Sequence, residues 1–132
     1  MPARIVVVLS DPELAGATVS ALSVDGYDAL AIHDSLKALA LLSQAVDIEL
    51  LVASTYFGEG KPTGASLALM TKLRRPDLKV IFAADPKLAP LLEDIGRVLA
   101  EPILPAHVVD AVRSVMIAES SLVQTTALLK PV

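Results

Sequence analysis

Ile5-Val6-Val7-Val8-Leu9-Ser10-Asp11-Pro12-Glu13-Leu14 is the stretch that decides the fold. Its first half, Ile5–Leu9, is a near-continuous β-branched run, the mark of a strand covered on both faces. Asp11 then supplies a helix N-cap, Pro12 suits the first helical position, and Glu13 places an acid in the first turn. The helix that follows carries Leu14, Thr18, Val19 and Leu22 at three-to-four spacing, and Gly26 ends it. A buried strand feeding straight into an amphipathic helix is the opening of a βαβ unit.

The rest of the chain repeats that grammar. Ala29–His33 reads as a second strand, and Asp34 caps a helix whose apolar positions are Leu36, Leu39 and Ala40. Ile48–Ala53 reads as a third strand. A Gly- and Pro-rich loop over 55–63 leads to a helix from about Gly64 to Arg75 that presents Leu67, Met70 and Leu73. Pro76-Asp77 breaks it, and Lys79–Ala84 is a fourth strand. A short helix over 87–95 is weakened by Pro90, and Gly96 precedes a fifth strand at Val98–Ala100. The last helix starts near Pro105 with Val108, Val109, Val112, Val115 and Met116 on one face. Residues 120–132 either extend it through Leu122 and Val123 or form a surface tail.

Strands alternating with helices of these lengths imply α/β architecture, a parallel sheet covered on both sides. Right-handed crossovers leave a few doubly wound topologies. Five units favour the flavodoxin-like strand order 2-1-3-4-5. No internal repeat interrupts the pattern, and one domain over 1–119 fits a chain of 132 residues.

Composition narrows the function. Hydrophobic residues make up 54% of the chain and mean hydropathy is +0.62. The apolar blocks stop short of the roughly 18–20 residues a membrane span needs, and the N-terminal run is too short for a signal peptide. A cytoplasmic, non-membrane protein is expected. With no cysteine there is no disulfide, thiolate metal site or cysteine nucleophile. A net charge of −4 and 3% aromatic residues disfavour nucleic acid, which needs a basic face and, for single strands, stacking rings. Lys72, Arg74 and Arg75 read as the cationic end of a helix rather than as a phosphate patch.

No complete catalytic constellation is visible. Gly58-Glu59-Gly60-Lys61-Pro62-Thr63-Gly64 superficially resembles a phosphate cradle, but Pro62 separates the lysine from the hydroxyl that must follow it directly. His33 and His107 lack metal-ligand spacing, and there is no Gly-x-Ser-x-Gly nucleophile elbow. Neither an enzyme nor a cofactor is expected. Asp11, Ser54 and Asp85 lie near the carboxyl ends of the strands, where open α/β sheets bind ligands. Asp11 and Asp85 are better read as caps than as cation ligands.

In order and spacing, the segments Val7–Leu14, Asp47–Val52, Gly64, Pro76–Ile81 and Glu101-Pro102 together resemble a response-regulator receiver domain over residues 4–118. The resemblance implies a signal-transduction role in a two-component system. In that family an acid pair holds magnesium, an aspartate accepts a phosphoryl group, and a hydroxyl residue and a lysine contact it. Here the acid pair falls on Leu9 and Ser10, the acceptor on Val52, the hydroxyl on Ala84 and the lysine on Glu101. Magnesium wants hard oxygen ligands and an acyl-phosphate needs a carboxylate nucleophile. Leu9 and Val52 offer neither, and Glu101 would repel the phosphoryl charge. A slip to Ala53 or Ser54 restores no carboxylate.

The expected function is therefore that of a pseudo-receiver, not phosphorylated on aspartate and acting by protein–protein interaction. The resemblance implies the face of helix four, strand five and helix five as the contact surface, with Val98 (where an aromatic often toggles) and Ile117 as interface candidates. A histidine kinase, another regulator or a second copy, giving a homodimer, is the expected partner. No output segment is recognised after residue 119, so output is expected through that partner. The alternative is a small-ligand module whose strand-end crevice is lined by Leu9, Val52 and Ala84.

Overall fold

A computed structural model describes residues 4–44 and 47–129, with 118–129 as backbone alone. The elements run β1 (Arg4–Val8), α1 (Pro12–Val24), β2 (Asp28–Ile32), α2 (Ser35–Gln44), β3 (Leu50–Ser54), α3 (Gly64–Arg74), β4 (Lys79–Ala84), α4 (Ala89–Leu92), β5 (Arg97–Ala100) and α5 (Pro105–Leu129). The sheet is five-stranded and parallel in the order β2-β1-β3-β4-β5. This is the doubly wound α/β fold that the alternation of elements predicts. Among the described residues no helix is long and apolar enough to cross a membrane.

Because side chains alternate along a strand, each central strand feeds two cores. Ile5, Val7, Leu50, Val52 and Ile81 face α1 and α5, where they meet Leu22, Val108 and Val112. Val6, Val8, Leu51, Ala53 and Phe82 face α2 and α3, where they meet Ala38, Leu42, Leu67 and Ala68. Burial of each large aliphatic side chain contributes roughly 1.5–3 kcal/mol.

The local signals act as read. The Asp11 carboxylate accepts from the Glu13 N–H at 3.0 Å and caps α1, and Asp34 accepts from Leu36 at 2.8 Å to open α2. That backbone N–H, more than nearby Lys61 and Lys37, holds the Asp34 carboxyl below its usual range. Gly64 is required by close approach, since a Cβ there would run into the carbonyl oxygen of Ser54.

Three expectations are corrected. α2 buries Ser35, Ala38 and Leu42, leaving Leu36 and Ala40 exposed, and α3 buries Leu67, Ala68 and Thr71, leaving Met70 and Leu73 outside. Each inner face is a three-to-four-spaced stripe that runs through an alanine and a hydroxyl residue beside one leucine, so the other large apolar residues fall on different faces. The segment read as a helix over 87–95 splits into a 3-10 turn at Pro86–Leu88 and the single turn of α4. Pro90 lies in the first turn of α4, where its missing N–H costs nothing. Third, strand boundaries shift by a residue or two: β3 begins at Leu50 and runs on to Ser54.

Candidate functional site

The carboxyl ends of β1, β3 and β4 and the turn after β5 enclose a crevice of about 280 Å³. β1 delivers Leu9 and Ser10 to it, β3 delivers Ser54, β4 delivers Ala83, and the turn into α5 brings Glu101, Pro102 and Ile103. Register explains the set. Val8 pairs with Ala53 and Ser54 with Ala83, so the next residue on each chain emerges at the same level. The Ser10 N–H donates to Ser54 Oγ at 3.1 Å, tying the two strand ends together. The Glu101 N–H donates to the Ala84 carbonyl at 2.9 Å, which fixes the turn, and the Glu101–Pro102 peptide is cis.

The crevice holds two hydroxyls (Ser10 and Ser54), two carboxylates (Asp11 and Glu101) and an apolar wall of Leu9, Leu14, Ala83 and Ile103. Among the described residues no lysine or arginine lines it. An incoming phosphoryl group would meet the exposed carboxylates of Asp11 and Glu101 with no cation in the lining to offset them. Asp11 is committed to capping α1, and Asp85 caps the turn after β4 through the Lys87 N–H at 2.9 Å. Among the described residues no cluster of three or more His, Asp or Glu side chains is placed to hold a metal ion.

Two of the sequence-assigned positions fall elsewhere. Val52 is fully buried between Val7 and Ile81 and faces the α1–α5 core. Ala84 is also buried, facing the other core. Neither lines the crevice, which corrects the expected Leu9–Val52–Ala84 lining. The side chain of β3 that reaches the crevice is Ser54, two residues on and on the same face as Val52. The signal was present in the sequence: the apolar run Leu50–Ala53 stops at Ser54, and the first polar residue after a buried strand marks where it emerges.

Val98 is half-buried against the α2–α3 core, whereas Ile117 on α5 is 63% exposed. His107 Nδ1 accepts from the Leu104 N–H at 3.1 Å at the start of α5, and His33 is exposed. The Gly58–Gly64 segment is a turn, with Lys61 N–H bonded to the Gly58 carbonyl and Thr63 capping α3 through Ser66 N–H at 3.1 Å.

No family model matches the chain, and no curated protein sequence matches it. Solved structures do match. A CheY-like receiver domain protein from Methanospirillum hungatei superposes with a TM-score of 0.78 at 16% identity, covering 92% of this chain and 98% of that one. A response regulator receiver protein from Sinorhizobium medicae gives 0.76 at 19%, covering 89% and 96%. The signal receiver domain of a Luxo repressor protein from Vibrio parahaemolyticus gives 0.72 at 15%, covering the whole of both chains. The fold is that of a response-regulator receiver domain. Within the receiver fold the crevice lies at the ends of β1, β3 and β4, on the side of β1 where the strand order reverses and open α/β sheets place their ligands.

Proposed function

We propose that this chain is a pseudo-receiver: a cytoplasmic, non-enzymatic signalling module, not phosphorylated on aspartate, that works by protein–protein interaction in a two-component-type pathway. One observation carries the reading. The residue that β3 presents to the strand-end crevice is Ser54, flanked by Ser10 and faced by Glu101. A seryl hydroxyl cannot form an acyl-phosphate, and Glu101 opposes the charge that a lysine would neutralise. The nearest carboxylate on β1's side, Asp11, is held by the first turn of α1. The partner is a kinase, another regulator or a second copy, and the α4–β5–α5 face with exposed Ile117 is a contact surface.

Incubation with acetyl phosphate and magnesium, read by intact-mass spectrometry, tests the reading. The expected spectrum holds the unmodified mass alone. A stoichiometric adduct on an aspartate overturns it.

A second reading, small-ligand binding, is favoured by the crevice itself, which is concave and half apolar. A thermal-shift screen of small organic cations, which would complement Asp11 and Glu101, tests it. A rise in melting temperature that Glu101→Gln removes supports it, and no rise with any of them counts against it.

A further inference from the structure

The apolar side chains that pattern alone assigns to the core and the fold turns outward gather on α2 and α3. Leu39 and Leu42 form one wall of a groove between these helices, Met70, Thr71 and Leu73 form the other, and Arg74 closes one end, around a cavity of about 200 Å³. Leu42 and Thr71 are the buried floor, while Met70 is 49% and Leu73 84% exposed at the rim. Leu36, earlier on α2, is 54% exposed. An apolar cleft with a raised apolar rim leaves surface in water that a docked partner would cover.

Charge selects the partner. α2 and α3 carry Lys37, Lys72 and Arg74 and no Asp or Glu, in a chain whose formal net charge is −4. Lys72 Nζ donates to the Ile95 carbonyl at 2.7 Å and Arg74 Nη1 to the Ser43 carbonyl. Among the described residues neither forms an ion pair with a carboxylate. Lys37 has Asp34 nearby, at the far end of α2.

We propose that the α2–α3 groove docks an amphipathic helix of a partner protein, with its apolar stripe on Met70 and Leu73 and a flanking carboxylate on Arg74. The proposal rests on the interaction-module reading and adds a surface distinct from the α4–β5–α5 face. A helix fits because its i, i+3, i+4 ridge seats in the furrow between two other helices. A second copy in a symmetric dimer would set Arg74 and Lys72 against their own like charges. An anionic membrane offers the right charge, but a flat headgroup surface leaves the buried floor at Leu42 and Thr71 unfilled.

The test uses the full chain and a fluorescent, helix-forming peptide with leucine at i, i+3, i+4 and i+7 and glutamate at its flanks, read by anisotropy at low salt. The peptide should bind, and added salt should weaken it. Arg74→Glu should weaken it at least tenfold and Leu73→Ser about fivefold. A peptide with lysine in place of glutamate should prefer the Arg74→Glu chain. Both positions are exposed, so circular dichroism should match the parent, and Met70→Glu replaces either variant that unfolds. Absence of binding at low salt overturns the proposal, as does binding indifferent to these substitutions. So does binding to phosphatidylglycerol vesicles in place of the peptide. Peptide binding lost in Ile117→Glu but kept in the groove variants sinks the groove and leaves the interaction reading standing. A phospho-aspartate adduct does the reverse.

Discussion

The backbone N–H of Ser10 donates to the side-chain oxygen of Ser54, 3.1 Å away and 44 residues apart in sequence. The bond joins the ends of β1 and β3 at the crevice through two neutral groups. Ser54, not Val52, is the β3 side chain that lines it.

Substitution should separate those two positions. Val52→Asp places an unpaired carboxylate in a fully buried site and should cost about 3–5 kcal/mol, read as a large fall in the denaturation midpoint. Ser54→Asp should leave the midpoint nearly unchanged, because the side chain opens into the crevice. Equal losses from both would contradict the assignment.

Gain of function is the stricter test. The triple variant Ser10→Asp, Ser54→Asp, Glu101→Lys supplies hard ligands, a nucleophile and a cation around one crevice. With magnesium and acetyl phosphate it should gain a phosphoryl mass that the parent lacks. The same experiment on Ser10→Asp, Val52→Asp, Glu101→Lys should yield none.

Thr18 on α1 is fully buried, and among the described residues its hydroxyl has no hydrogen-bond partner. Thr18→Val keeps the shape and removes a desolvated polar atom, so it should stabilise the chain by about 1 kcal/mol. A loss of similar size in urea denaturation would mean that the hydroxyl is satisfied by a trapped water.

Arg113 on α5 pairs with Asp25 at the end of α1, with Nε 2.8 Å from the carboxylate. The hydrogen bond from Arg113, helped by its charge, holds the Asp25 carboxyl below its ordinary range. A depressed folded pKa means that this contribution is present above the unfolded value, near about 4, and is lost as pH falls through the folded value. Asp25→Asn should therefore lower stability at neutral pH and flatten its acid dependence below about pH 4. An unchanged acid limb in denaturant titrations from pH 2 to 7 would rule the pair out as a contributor.

Ile117→Glu examines the proposed α5 contact. If the chain self-associates through that surface, light scattering should record a lower mass for the variant. A dimer that persists unchanged places its interface elsewhere.

The architecture follows from local signals along the chain. Runs such as Ile5–Leu9 are long enough and apolar enough only for strands covered on both faces, and caps such as Asp11-Pro12 fix where helices begin whatever surrounds them. Those local constraints, with right-handed crossovers, leave little choice of strand order. Tertiary structure decided which face of each helix turns inward and which residue on each strand reaches the crevice. Leu36, Met70 and Leu73 have the spacing of core residues, yet the inward stripes run through Ala38 and Ala68 beside Leu42 and Leu67 instead. Val52 and Ser54 share one face of β3, and the polar Ser54 after Leu50–Ala53 marks on the strand itself where that face emerges from the core. Which residues of β1 and β4 stand beside it follows from the pairing register, and register is a property of pairs that one strand alone does not carry.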